Sequence, residues 1–234
     1  MFERAHHQRI ASLLECLNAE LLRECHCLFG GGTAVALRFG EYRESLDVDF
    51  LVSDPHGFRQ LRQWLAHGRS LAPIVRASAP VLALDRDVRV DQYGIRTAVY
   101  IDGVAIKFEI VREARITLDA PGRGDEVCGV ATLKVVDMAA SKLLANSDRG
   151  LDDSTFARDV IDLAMMAPRL PLLRQALGKA EQAYGDAIRR DLAHAIDRLR
   201  DRQGWLEHCM LAMQMRTPQA LLWQRLRSLR RVLV

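Results

Sequence analysis

Apolar residues recur at helical spacing from the start of the chain. Ile10, Leu13, Leu14, Leu17 and Leu21 share one stripe, which predicts an amphipathic helix over residues 9–24. Cys25 to Phe29 reads as a short strand, and Gly31-Gly32 then breaks the pattern before a helix that Thr33 can cap and that runs through Phe39. Gly40-Glu41-Tyr42 turns the chain into an alternating stretch. There Val48, Phe50 and Val52 take one face, and Asp47, Asp49 and Leu51 the other. A second helix is predicted over 58–71, and strands over 80–92 and 95–111. Asp102-Gly103 separates two alternating runs within the last of these, and both residue types tolerate positive φ, so it predicts a hairpin. On the returning strand Val104, Ile106, Phe108 and Ile110 face one way, Lys107 and Glu109 the other.

Pro121-Gly122-Arg123-Gly124-Asp125 is the clearest loop, and beyond Val130 the periodicity is helical throughout. Thr132 can cap a helix carrying Leu133, Val136, Ala140 and Leu143, with Lys142 off that stripe. Ser154 can cap another, in which Phe156, Val160, Leu163 and Ala167 form the buried face and Arg158, Asp159 and Asp162 lie off it. Arg158 and Asp162, four apart, read as a surface pair. Near the C-terminus Leu222, Leu226, Leu229 and Leu233 make a stripe that docks on the helical half and leaves Arg225, Arg227, Arg230 and Arg231 outside, within reach of nucleic-acid phosphate. Trp205 and Trp223 read as core or interface residues, and His6-His7 as an exposed terminus. The pattern is an α+β class with two domains, residues 1–125 and 126–234, the second entirely helical.

Composition narrows the class. A chain of 234 residues with 49% hydrophobic content can bury one large core or two small ones. No apolar run is long enough to span a bilayer, and the first residues lack a signal-peptide pattern, so we expect a cytoplasmic protein without a membrane partner. Cysteines at 16, 25, 27, 128 and 209 lack zinc-site spacing and read as reduced, mostly buried thiols. The net charge is +3, and the basic excess lies in residues 151–234, with 14 basic and 10 acidic groups against 19 and 20 before them.

Gly31-Gly32 lets backbone approach a phosphate without Cβ clashes, the N–H groups opening the next helix favour an anion, and the Thr33 and Ser45 hydroxyls can donate to phosphate oxygens. Asp47 and Asp49 project from one face of a strand and can share Mg2+, with triphosphate oxygens completing its shell. Glu109 is the candidate third carboxylate, able to hold a second Mg2+, although Lys107 offers it an ordinary ion pair. Asp85-Arg86-Asp87 has the same D-x-D spacing without a preceding glycine turn and reads as a solvated face. Together these parts suit metal-dependent nucleotidyl transfer.

Four ordered motifs across most of residues 28–166 resemble the AbiEii/AbiGii-type nucleotidyl transferases, which include toxins of bacterial toxin–antitoxin pairs and the MenT enzymes. They are Gly31-Gly32-Thr33, Arg43-Glu44-Ser45-Leu46-Asp47-Val48-Asp49, Lys142-Leu143-Leu144-Ala145 and Arg158-Asp159-Val160-Ile161-Asp162-Leu163. The resemblance implies a polymerase-β-like nucleotidyltransferase core with a mixed sheet, a helical second lobe and a triphosphate in the cleft between them. It implies that Asp47 and Asp49 bind metal, that Arg43 belongs to the nucleotide-binding motif, and that Lys142 and Asp159 complete the catalytic set, with Asp162 structural. The expected reaction moves NMP from an NTP to an acceptor hydroxyl, with the tRNA 3′ end or another RNA as acceptor and an antitoxin regulator as partner. A protein or small-molecule acceptor at the same site, or an inactive binding protein of this fold, are the alternatives. Two features depart from the family: the third carboxylate is a glutamate, and the chain ends about 70 residues after the last motif.

Overall fold

The computed structural model describes residues 2–233, which form two compact units: 2–38 with 45–134, and 39–44 with 135–233. The first unit opens with α1 (Ala5–Cys16) and α2 (Ala19–Glu24), two helices where one was expected. Leu17 is extended and buried, and the Asn18 side chain accepts from Leu21 N at 3.1 Å. A local cap thus competes with helix continuation and wins. Then come β1 (Leu28–Gly30), α3 (Gly31–Arg38), β2 (Val48–Val52) and α4 (Pro55–Gly68). The Asp54 carboxylate caps α4 by accepting from Gly57 N at 2.7 Å, and Pro55 supplies its first turn.

Strands β3 (Ala83–Val90), β4 (Gly94–Ile101) and β5 (Val104–Arg112) complete a five-stranded sheet of order β1-β2-β5-β4-β3. Only the β2–β5 pair is parallel. The hairpin at Asp102-Gly103 forms as expected, with φ of 50° and 74° at its two central residues. Val48, Phe50 and Val52 on β2 and Ile106, Phe108 and Ile110 on β5 are fully buried on one face. There Phe50 sits 5.6 Å, ring to ring, from both Phe29 and Phe108. The opposite face keeps Asp49, Lys107 and Glu109, as the alternation required. A small hairpin of β6 (Glu126–Val127) and β7 (Val130–Ala131) also belongs to this unit.

The second unit is helical: α5 (Val135–Arg149), α6 (Arg158–Met165), α7 (Leu170–Tyr184), α8 (Ala187–Asp201), α9 (Trp205–Ala212) and α10 (Gln219–Leu229). Helix α5 packs on α6, α7 and α8. Leu222, Leu226 and Leu229 of α10 are buried, in line with their stripe. Neither predicted cap operates here. Thr132 instead accepts from Arg38 at 2.8 Å, and a short 3-10 turn, Asp153–Thr155, precedes α6. Phe156 and Ala157, at φ 52° and 51°, delay the start of that helix to Arg158. No helix of the described residues is long and apolar enough to cross a membrane.

Candidate active site

The carboxylate strand is held by its glycine turn. Gly31 opens α3 at φ +67°, a conformation open to glycine, and a Cβ there would lie 2.8 Å from Asp49 Cβ and 3.0 Å from its Cγ. The glycine therefore makes room for the Asp49 side chain. Thr33 is not a cap: it is buried, its hydroxyl lies 2.8 Å from Ser45 Oγ, and it hydrogen-bonds the Asp47 carbonyl. With one proton given to that carbonyl, Thr33 receives the Ser45 hydroxyl proton, so both hydroxyls are used to fix the segment leading to Asp47.

A further support was invisible in the sequence. His7, expected on an exposed terminus, is fully buried, and its Nε2 accepts from Ser45 N at 3.1 Å. Nothing in the local pattern marked it, because its partner lies 38 positions away.

Across the sheet, the parallel register sets Asp49 directly beside Glu109. Glu109 receives Lys107 at 3.0 Å and Arg96 at 3.3 Å, so the ordinary ion pair is present, with a second cation added. Among the described residues no three His, Cys, Asp or Glu side chains converge as a ready cation site. The donors offered are oxygen only: Asp47, Asp49 and, if it turns from its cations, Glu109. That chemistry suits Mg2+, which completes its shell with water and phosphate.

In the second unit the predicted residues form a buried network. Lys142 lies 3.0 Å from Asp159 and 2.6 Å from Asp162. Asp159 also takes Arg149 through two bonds, of 2.7 and 3.0 Å. Asp162, fully buried, accepts from Tyr42 OH at 2.6 Å and from Arg43 Nε and Nη2 at 2.6 and 2.9 Å. Two expectations change. Asp162 pairs with Arg43 and Lys142, not with Arg158 on the surface. Arg43 is 4% exposed and committed to Asp162 and the Glu44 carbonyl, so it anchors the network where a phosphate contact had been expected.

Burial alone would raise both carboxyls. Lys142 and Arg149 override it at Asp159, Arg43 and Lys142 at Asp162, and both are held below the ordinary 3.8. The Tyr42 hydroxyl is pushed well up, by burial first and by Asp162 next.

A family model described as "Nucleotidyl transferase AbiEii toxin, Type IV TA system" matches residues 12–227. The chain belongs to this family. It is a nucleotidyltransferase of the AbiEii type, and the expected α+β architecture with its helical second half is observed. Two solved structures from Helicobacter pylori share the fold. One, described as a candidate nucleotidyltransferase, is 17% identical with a TM-score of 0.51, over 99% of this chain and 97% of its own. The other, JHP933, is 18% identical with a TM-score of 0.51, over 100% and 95%. No curated protein matches.

Among the AbiEii motifs of this chain, the glycine turn and D-x-D strand lie in the first unit and Lys142, Asp159 and Asp162 in the second. Arg43, though next to the D-x-D strand in sequence, belongs with the second.

Proposed function

We propose that this AbiEii-family protein transfers a nucleoside monophosphate from an NTP to the 3′ hydroxyl of an RNA, with tRNA as the favoured acceptor, as the toxin of a type IV-like pair with its own antitoxin regulator. The observation that carries the reading is the register of Asp49 beside Glu109, with Gly31 packed against the Asp49 carboxylate.

Asp47 and Asp49 would hold Mg2+, with Glu109 available for a second ion. When bound, the metal neutralises triphosphate charge and lowers the pKa of the acceptor hydroxyl. The N–H groups of Gly31 and Gly32 meet phosphate oxygens at the positive end of α3. Thr33, Ser45 and His7 keep the aspartate segment rigid, so little reorganisation accompanies reaction. Lys142, within the second unit, is held by Asp159 and Asp162. Asp159 orients it. All five cysteines are free thiols, which supports a reducing compartment, and we place the enzyme in the cytoplasm.

Incubation with each α-labelled NTP, Mg2+ and total tRNA should label RNA with at least one nucleotide, and Asp49→Ala should abolish labelling. Label on protein or on a small molecule, with none on RNA for any NTP, would refute the acceptor. Transfer that persists in Asp49→Ala would refute the site.

A further inference from the structure

The basic excess of the C-terminal half is largely consumed within the fold. Arg189 pairs with Glu181, Arg198 and Arg202 with Asp153, Arg200 with Asp197 and Asp201, and Arg230 with Asp197. Arg225 donates to the Met165 carbonyl. Of the arginines expected to reach nucleic acid there, Arg227 and Arg231 remain exposed.

The first unit holds the opposite arrangement. From Pro55 to Leu84 the chain carries Arg59, Arg62, Arg69 and Arg76 and no acidic residue. Where the end of α4 meets β3, a concavity of about 580 Å³ is lined by Ala66, Arg69, Arg86, Asp87 and Arg89, among others. Asp87 lies 3.6 Å from Arg69, whereas among the described residues no carboxylate stands within ion-pair distance of the exposed Arg86 and Arg89.

The sheet itself aims these two arginines. Residues three apart on a regular strand point to opposite faces, yet the register of β3 shifts between Arg86 and Arg89. Both consequently sit on the face that carries Glu109. The pairings run straight across the sheet: Asp49 beside Glu109, Glu109 beside Arg96, Arg96 beside Arg89. A parallel row joins Lys107, Ala98 and Arg86. Two arginines directly opposite each other, Arg96 and Arg89, weaken a sheet, so strand pairing does not account for Arg89. Three inter-strand spacings place the Arg89 backbone roughly 14 Å from that of Asp49, a span that a few nucleotides of single strand can cover.

We propose that this row is the docking track for the RNA acceptor. The phosphodiester backbone would lie over Arg86 and Arg89, with Arg69 at the rim, and lead the 3′ hydroxyl along the sheet toward Asp47, Asp49 and Glu109. Unpaired guanidinium forks in an open polar concavity suit phosphate oxygens. The proposal rests on the RNA reading above and names the surface that serves it.

The test compares Arg86→Ala/Arg89→Ala, Arg86→Lys/Arg89→Lys and an Arg227→Ala/Arg231→Ala control with the parent protein. Binding of fluorescent tRNA is followed by anisotropy from 50 to 200 mM salt, beside transfer kinetics. The alanine pair should weaken RNA binding about tenfold or more and flatten the log–log salt slope by about 1 to 2. It should raise KM for RNA, with kcat and NTP affinity little changed. The lysine pair should retain most of the salt slope, and the control should bind as the parent does. Unchanged RNA affinity in the alanine pair, an equal loss in the control, or a loss confined to solubility, as expected of edge-strand protection, would overturn the proposal. If the parent labels RNA while the alanine pair keeps its KM, this track alone is wrong. If the parent neither binds nor labels RNA but binds an acidic protein through these arginines, the RNA reading falls as well.

Discussion

Replacing Asp162 with alanine removes the one carboxylate that faces Arg43 and one of the two that face Lys142. The network holds three cations, Arg43, Lys142 and Arg149, against Asp159 and Asp162. The variant leaves three against one, and Arg43 and Lys142 are 4% and 5% exposed. Arg149 is better solvated, its side chain 40% exposed, so most of the cost falls on the other two. Tyr42 also loses its acceptor. Breaking a buried ion pair by removing one partner typically costs about 3–5 kcal/mol. For a chain of this size that predicts a fall in Tm of roughly 6–20 °C.

Urea unfolding followed by circular dichroism reads the same quantity at fixed temperature. The companion variant Arg43→Met should cost a comparable amount. The double variant should cost less than the sum by about 0.5–3 kcal/mol, since once Asp162 is gone Arg43 has no carboxylate to lose. A cost below about 1 kcal/mol for Asp162→Ala, or strict additivity in the double variant, would refute the reading of Arg43, Lys142 and Asp162 as one coupled buried network.

Three other outcomes follow. Gly31→Ala should lower transfer at least about 100-fold by displacing Asp49, while the left-handed backbone costs only about 1–2 kcal/mol in stability; near-normal turnover would sink the close-approach argument. Stability should be level above the ordinary carboxyl value of 3.8 and fall as pH drops below it, because Asp159 and Asp162 are depressed in the folded state and must take up protons to unfold; acid titration by circular dichroism would contradict this if the loss began near neutrality. Thiol titration of the native protein should reach Cys16 and Cys128 first, because Cys25, Cys27 and Cys209 are buried and burial pushes the Cys209 thiol up to about 12; rapid reaction of all five without denaturant would count against the packing.

By itself the sequence determined the features that depend on neighbours along the chain. Alternation fixed which faces of β2 and β5 are buried, Asp102-Gly103 fixed the hairpin, and the leucine stripe fixed the docking of α10. Local chemistry also misled where long-range partners outbid it. Thr33 and Thr132 look like caps, yet their hydroxyls serve Asp47 and Arg38. Asp162 looks like half of a helical surface pair, but it is the buried end of a network reached from Arg43, 119 residues earlier.

Tertiary structure alone decided that His7 supports Ser45, that Glu109 stands beside Asp49, and that Arg86 and Arg89 share one face. Each depends on strand register or on contacts across scores of residues. Periodicity records which side of an element a residue takes, but not which residue stands opposite it.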